Sequence, residues 1–382
     1  MLVAHPGADL YGSDRMLLES VTGLIETGHK VVVAVPVSGP LVAELEALGA
    51  RTRVVPMPVL RKSALSPRGM LTLATEAARS LRPSVSLLRQ TRPTAVYVST
   101  LTLPSWLLLA RLLGSPTVCH VHEADQHRSR FVSKALVLPL LLADRLVVNS
   151  RYTSSVLSAA VPRLAHRTTV VYNGVAGPVS VTAPRADVDG PVRLLFVGRL
   201  SPRKGPDVAA RAVRALEDRG IAAVLDVVGD VFPGYEWFEQ ALLEEFGDLV
   251  ASGRVRLRGF AADVWPHIEA ADVVLVPATL PESLGNTAIE ALLAARPVVV
   301  SDAGGLAEVA AGCPTARIVP PGDPDALADA VADLLACWAD VRAAAPAEAH
   351  EAARRYGPEA YRRAVTAVVD PGRLPVPAPT HR

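Results

Sequence analysis

The chain has 382 residues, 50% of them hydrophobic and 20% charged, and a formal net charge of +1. Such a length predicts two domains, and such apolar content excludes a disordered chain, a coiled coil or a small disulfide scaffold. The near-zero charge argues against a dedicated nucleic-acid binder, so no nucleic-acid partner is expected. Cys119, Cys313 and Cys337 are widely spaced; they suit a reducing compartment and offer no metal-ligand spacing. No basic start leads into an apolar stretch, so no secretion signal is read. The longest apolar runs, 101–110 and 135–143, are half a membrane span and are closed by Arg111 and by Asp144 and Arg145. The expectation is a cytoplasmic protein able to touch the inner face of the cell membrane.

The whole-chain charge hides a split. Residues 1–190 carry 20 Lys/Arg against 12 Asp/Glu, whereas the remainder carries 19 against 26. The excess lies between Arg61 and Arg92, with seven basic residues and one acid, Glu76. Arg128, Arg130 and Lys134 add to it. This is either a solvated helix face or a patch that contacts an anionic membrane.

In chain order, an opening strand at 2–4 is followed by an amphipathic stretch at 14–27 and a β-branched strand at 31–36. Buried strands follow at 95–99, 117–121, 145–149 and 169–171, separated by helix-like or loop segments. Residues 176–191 are rich in Pro, Gly, Ala and Asp without periodicity and read as a linker. Alternation then restarts. Strands are expected at 192–197, 223–228, 255–257, 273–276 and 297–301, and helices at 206–219, 234–246, 261–270, 286–294 and 306–311. Two closing helices, 326–344 and 347–369, precede a Pro-rich tail at 370–382 read as disordered. The fold class is α/β, with two doubly wound, Rossmann-like domains at 1–175 and 192–346. They are expected to face each other across a deep cleft, with the 347–369 helix packing back towards the first. Ligands in such sheets sit beyond the carboxyl ends of the strands.

Two loops of the second domain stand out. After the 192–197 strand, Arg199 and Lys204 lie five residues apart and Gly205 admits the chain to the next helix. A planar guanidinium fork and a point charge suit a pyrophosphate, although an ordinary basic surface loop has the same composition. After the 273–276 strand, Glu282 and Glu290 are eight apart, with Ser283, Leu284, Gly285 and Asn286 between. Those residues would open a helix, whose free amides and positive dipole end attract anions. A carboxylate on each side of an anion-binding turn suits a nucleotide sugar; a capped helix with two solvated glutamates is the plainer reading.

These residues also carry a resemblance. Glu282 to Glu290 has the E-x7-E spacing of retaining GT-B glycosyltransferases. PESLGNTAIEALLAARPVVVSDAGGLAEV resembles the signature of glycosyltransferase family 4. FVGRLSPRKGPD is similar to that family's phosphate-binding loop. VVYNGV, VVGD, VRLRGF and IVPPGDPDAL fall in the same order as its similar segments. The likeness is specific over 192–335 and looser before 170.

The resemblance implies that Arg199 and Lys204 hold the donor diphosphate, that Glu290 bonds the ribose and that Glu282 bonds the donor sugar. Backbone amides of Leu284, Gly285 and Asn286, beside Ser283, would meet the distal phosphate or sugar. Phe260 would lie near the nucleobase through its backbone. The turn Asp302, Ala303, Gly304, Gly305 resembles the family's acid-x-Gly-Gly turn and is read as structural. In the first domain, Tyr11-Gly12-Ser13-Asp14-Arg15 resembles a G-G-(A/S)-E-R loop, with Gly12 at the glycine that lies under the phosphates. Tyr11 and Asp14 depart from that pattern. His120 and His122 are read as pointing to opposite faces of the 117–121 strand. His122 with Glu123 best matches the family's active-site histidine, and His120 is the second choice.

Asp187-Val188-Asp189 and Asp323-Pro324-Asp325 have D-x-D spacing, but the first sits in the linker and the second resembles a helix N-cap. Arg199, Lys204 and the helix terminus already supply positive charge, so no catalytic metal and no cofactor are expected. The reading is transfer of a sugar from a UDP- or GDP-linked donor to a glycan or lipid-linked acceptor, with retention of configuration. His122, Arg199, Lys204 and Glu282 would carry the chemistry. A nucleotide-sugar epimerase, a sugar phosphorylase and a non-catalytic nucleotide-sugar-binding protein remain as alternatives.

Overall fold

The structure is a computed structural model that describes residues 1–10, 12–60, 66–123, 130–232 and 234–370. Tyr11, Arg61, Lys62, Arg128 and the 371–382 part of the expected tail lie outside the described residues. The chain divides into two compact units, Val175–Gly357 and the remainder on either side of it.

The first unit runs β1 (Leu2–Ala4), α1 (Gly12–Glu26), β2 (Val32–Val35), α2 (Pro40–Ala47), β3 (Arg51–Val54), α3 (Pro67–Thr91), β4 (Val96–Val98), α4 (Pro104–Leu112), β5 (Thr117–Val121), α5 (Arg130–Val137), β6 (Arg145–Val148), α6 (Arg151–Ala160) and β7 (Thr168–Val170). Its seven strands are parallel, in the order β3-β2-β1-β4-β5-β6-β7. The central strands β1, β4 and β5 are buried at every residue, as a sheet covered by helices on each side requires. Edge strand β3, Arg-Thr-Arg-Val, is largely exposed, so no apolar run announces it in the sequence.

The second unit runs β8 (Val192–Val197), α7 (Pro206–Asp218), β9 (Ala223–Val228), α8 (Glu236–Ala251), β10 (Val255–Gly259), α9 (Trp265–Ala270), β11 (Val273–Val276), α10 (Asn286–Leu293), β12 (Val298–Ser301), α11 (Gly305–Ala310), β13 (Ala316–Val319), α12 (Pro324–Ala336) and α13 (Trp338–Tyr356). Its six parallel strands follow β10-β9-β8-β11-β12-β13. The expected fold class, two doubly wound parallel sheets, is the one observed.

The closing helices differ from expectation. Helix α13 runs through Pro346, and the breaks fall at Cys337 and at Gly357. A side chain at Gly357 would lie 2.3 Å from the Ala353 carbonyl oxygen, so glycine lets the chain turn out against its own helix end. Pro358 then opens α14 (Pro358–Val369), where its missing N–H costs nothing. Helix α14 belongs to the first unit and packs on α1, burying Tyr361, Val365 and Val369.

Trp106 of α4 is 1% exposed in the first unit's core. Trp106→Ala is expected to cost about 3–5 kcal/mol, read as a lowered urea midpoint.

Candidate functional site

In the second unit the strand order reverses between β8 and β11. Loops leaving two such neighbours open at the place where doubly wound sheets take ligands. Here the two loops are laced together. The Thr279 amide donates to the Arg203 carbonyl at 2.9 Å, and the Thr279 hydroxyl to the Pro202 carbonyl at 2.8 Å. The Thr287 hydroxyl donates to the Val197 carbonyl at 3.3 Å. Gly205 sits at φ +72°, and a Cβ there would lie 2.1 Å from the Pro277 carbonyl oxygen. Only glycine permits this approach.

Glu282 is 9% exposed. Lys204 Nζ donates to its Oε2 at 2.9 Å, and Arg203 Nε lies 3.9 Å from its Oε1. That Oε1 has no hydrogen-bond partner among the described residues. Arg203 also donates to the Pro281 carbonyl at 2.9 Å. Arg203 was not among the residues expected at the site, although it stands next to Lys204. The acid-x-Gly-Gly turn supports the loop from behind. The Gly305 amide donates to the Glu282 carbonyl at 2.8 Å, and a Cβ on Gly305 would lie 2.4 Å from the Ser283 carbonyl oxygen.

Gly285 caps α10 at φ +99°, where a Cβ would lie 2.2 Å from Leu306. Leu284 is fully buried. Ser283, Asn286 and Glu290 are half-buried, and each already interacts with a neighbour. Arg199 is held differently from Lys204. It is exposed, and its guanidinium lies 4.5 Å from the centre of the Phe232 ring. Phe260, after β10, is 76% exposed.

The first unit gathers three histidines at the carboxyl ends of β1 and β5. His120 and His122 do not point to opposite faces: their rings lie 3.9 Å apart. Residues i and i+2 of a strand share a face, so the expectation of opposite faces is wrong on geometry alone. His120 is fully buried, with Nδ1 2.5 Å from the Tyr97 hydroxyl. Tyr97 continues to Ser20 at 3.1 Å, and Ser20 to Tyr361 at 2.6 Å. His122 is half-buried. Its amide donates to Glu123 Oε2 at 3.1 Å, and Glu123 Oε1 accepts from the Thr100 hydroxyl.

His5 was not singled out by any motif. Its Nε2 lies 2.6 Å from Asp14 Oδ1 and its Nδ1 2.6 Å from the Ser99 hydroxyl. This link spans the switch between β1 and β4 and ties down the start of α1. A Cβ on Gly12 would meet nothing within 4 Å, so packing does not demand glycine there. Asp323 caps α12 by accepting from the Ala326 amide at 2.9 Å. Among the described residues, no group of three or more His, Cys, Asp or Glu is placed to hold a metal ion.

Residues 11–176 match the family model described as Glycosyltransferase Family 4, and residues 191–337 that described as Glycosyl transferases group 1. D-inositol 3-phosphate glycosyltransferase of Saccharomonospora viridis is 34% identical over 262 residues, 65% of this chain and 59% of that protein. The GDP-mannose-dependent alpha-(1-6)-phosphatidylinositol monomannoside mannosyltransferase of Mycolicibacterium smegmatis is 36% identical over 157 residues, 39% of each chain. The chain thus spans less than two thirds of the length of these curated relatives. Among solved structures, Anabaena Alr3699/HepE in complex with UDP superposes with a TM-score of 0.80 at 21% identity, covering 96% of this chain and 99% of that one. A glycosyltransferase from Rickettsia africae gives a TM-score of 0.78 at 17% identity, covering 97% and 98%. These likenesses establish the fold, two parallel-sheet α/β domains of the GT-B type.

Burial, and then His5, depress the His122 pKa to about 4 from an ordinary 6.5. Burial and then His122 push His120 well below its ordinary value. Both rings are therefore neutral at neutral pH. Between the two His122 values the unfolded chain binds a proton that the folded chain refuses. Stability contributed by this group is complete above pH 6.5 and is lost as pH falls towards 4. Burial raises Glu123, which works in the opposite sense. The readout is thus a difference: urea unfolding of His122→Phe should show a flatter fall than the parent over that window.

Proposed function

We propose that this chain, whose two matched regions are glycosyltransferase domains, transfers a sugar from a UDP- or GDP-linked donor to a hydroxyl of a glycan or lipid-linked acceptor, with retention of configuration. The observation that carries this reading is the paired carboxylate of Glu282 at the amino end of a glycine-capped helix. The amides and dipole of α10 favour a diphosphate. Lys204 and Arg199 would share its charge and stabilise it further as it leaves. Glu282 Oε1, lacking a hydrogen-bond partner among the described residues, would accept from a donor-sugar hydroxyl. Glu290, eight residues on, would bond the ribose. His122, neutral at pH 7, would act as a hydrogen-bonding group and not as a charge.

Attack on the same face as the departing phosphate needs no covalent nucleophile. A phosphate oxygen of the leaving group would take the acceptor proton. The protein's work is alignment and electrostatic stabilisation of an oxocarbenium-like state. The relatives named above act on inositol phosphate and on a phosphatidylinositol mannoside, which supports a polar or lipid-linked acceptor.

Helix α3 supports contact with an anionic membrane. It exposes Arg68, Arg79, Arg82 and Arg89 beside Met70, Leu71 and Leu81. Basic side chains with interspersed apolar ones suit a helix lying at a lipid interface. Among the described residues no helix is long and apolar enough to cross a membrane.

A thermal-shift panel of UDP-, GDP- and ADP-sugars should show strong stabilisation by one donor class, and none if the reading is wrong. With that donor, NMR of the first-formed product should show the donor's anomeric configuration. Lys204→Ala should lower kcat by about 10²–10³-fold, with folding checked by melting because it leaves Glu282 buried beside a lost partner. Arg79→Glu with Arg82→Glu should abolish sedimentation with phosphatidylglycerol vesicles; unchanged sedimentation would remove the membrane proposal.

A further inference from the structure

The two cations of the second unit's site are held by opposite means, and the difference has a chemical consequence. Lys204 is neutralised in place by Glu282. Among the described residues Arg199 takes part in no ion pair, and its guanidinium carbon lies over the Phe232 ring, 4.5 Å from the ring centre. We infer that Phe232 is a positioning residue for Arg199. It holds the guanidinium over its ring without an acceptor lone pair, so that the N–H donors are not taken up by an acid and remain for the donor diphosphate. This rests on the nucleotide-sugar reading of the site.

The placement of Phe232 is built into the backbone. Strands β8 and β9 are neighbours, and their ladder continues past the strand ends through a bridge between Leu200 and Val231. The Leu200 amide donates to the Asp230 carbonyl at 3.0 Å, and the Gly198 amide to the Val228 carbonyl at 2.9 Å. Gly229, at φ +143°, makes this approach possible: a Cβ there would lie 1.9 Å from the Gly198 carbonyl oxygen. Residues 198–200 and 229–231 are therefore one fastened pair, and Arg199 and Phe232 emerge from it side by side.

The chemistry favours an aromatic partner over an acidic one. A carboxylate would occupy the forked donors and cancel the charge that a diphosphate needs. An aromatic face attracts the cation through its quadrupole and leaves its charge uncancelled. It also restricts a long, rotamer-rich side chain before the ligand arrives, which lowers the ordering cost of binding.

The test is a double-mutant cycle read by calorimetric titration with UDP, GDP and ADP on the full chain. Phe232→Leu, which keeps the apolar bulk and removes the ring, should weaken the nucleoside diphosphate that binds by about fivefold. Phe232→Tyr should restore affinity. In an Arg199→Ala background, Phe232→Leu should have no further effect, because its influence passes through the guanidinium. If Phe232→Leu binds as the parent does, or loses as much with Arg199 absent as with it present, Phe232 does not position Arg199. If the parent protein binds no nucleoside diphosphate at all, the nucleotide-sugar reading fails first, and the two failures are distinct.

Discussion

A carboxylate as enclosed as that of Glu282 is costly unless it is paired, because several kcal/mol of hydration are lost per ion. Lys204 and Arg203 supply the pairing, from a loop that leaves a different strand. That requirement organises the second unit's site. The two loops must meet, so Gly205 lies against the Pro277 carbonyl and Gly305 against Ser283, both at distances that exclude a side chain. Lys204 and Glu282 therefore fasten the two loops together at the start of α10.

The first unit solves a different problem. Its buried polar groups are joined mainly by hydrogen bonds between neutral side chains. His120, Tyr97, Ser20 and Tyr361 form one chain of contacts that ties α14 to α1 and β5. His5 joins Asp14 to Ser99 across the strand switch. Burial keeps His120 and His122 uncharged at neutral pH.

Much of this was legible in the residues. The alternation of apolar runs with helical patterns carries the two parallel sheets, because strands buried on both faces must be continuously apolar. Edge strand β3 escaped for the same reason, since an exposed strand carries Arg51 and Arg53. The break expected between 344 and 347 does not occur, since α13 runs through Pro346; the chain turns at Gly357, followed by Pro358. The spacing of His120 and His122 already placed their rings on one face, and the expectation of opposite faces misapplied the strand period.

The sequence alone determines which loops are special: a glycine-bounded Arg/Lys turn, and a helix start flanked by Glu282 and Glu290. These are local patterns, and local chemistry is written in adjacent residues. Tertiary structure decided the partners. That Lys204 reaches Glu282 across 78 positions, that Arg199 rests on Phe232, and that His5 bridges Asp14 and Ser99 follow from strand order. Strand order is set by how whole sheets bury their faces, and no short motif records it.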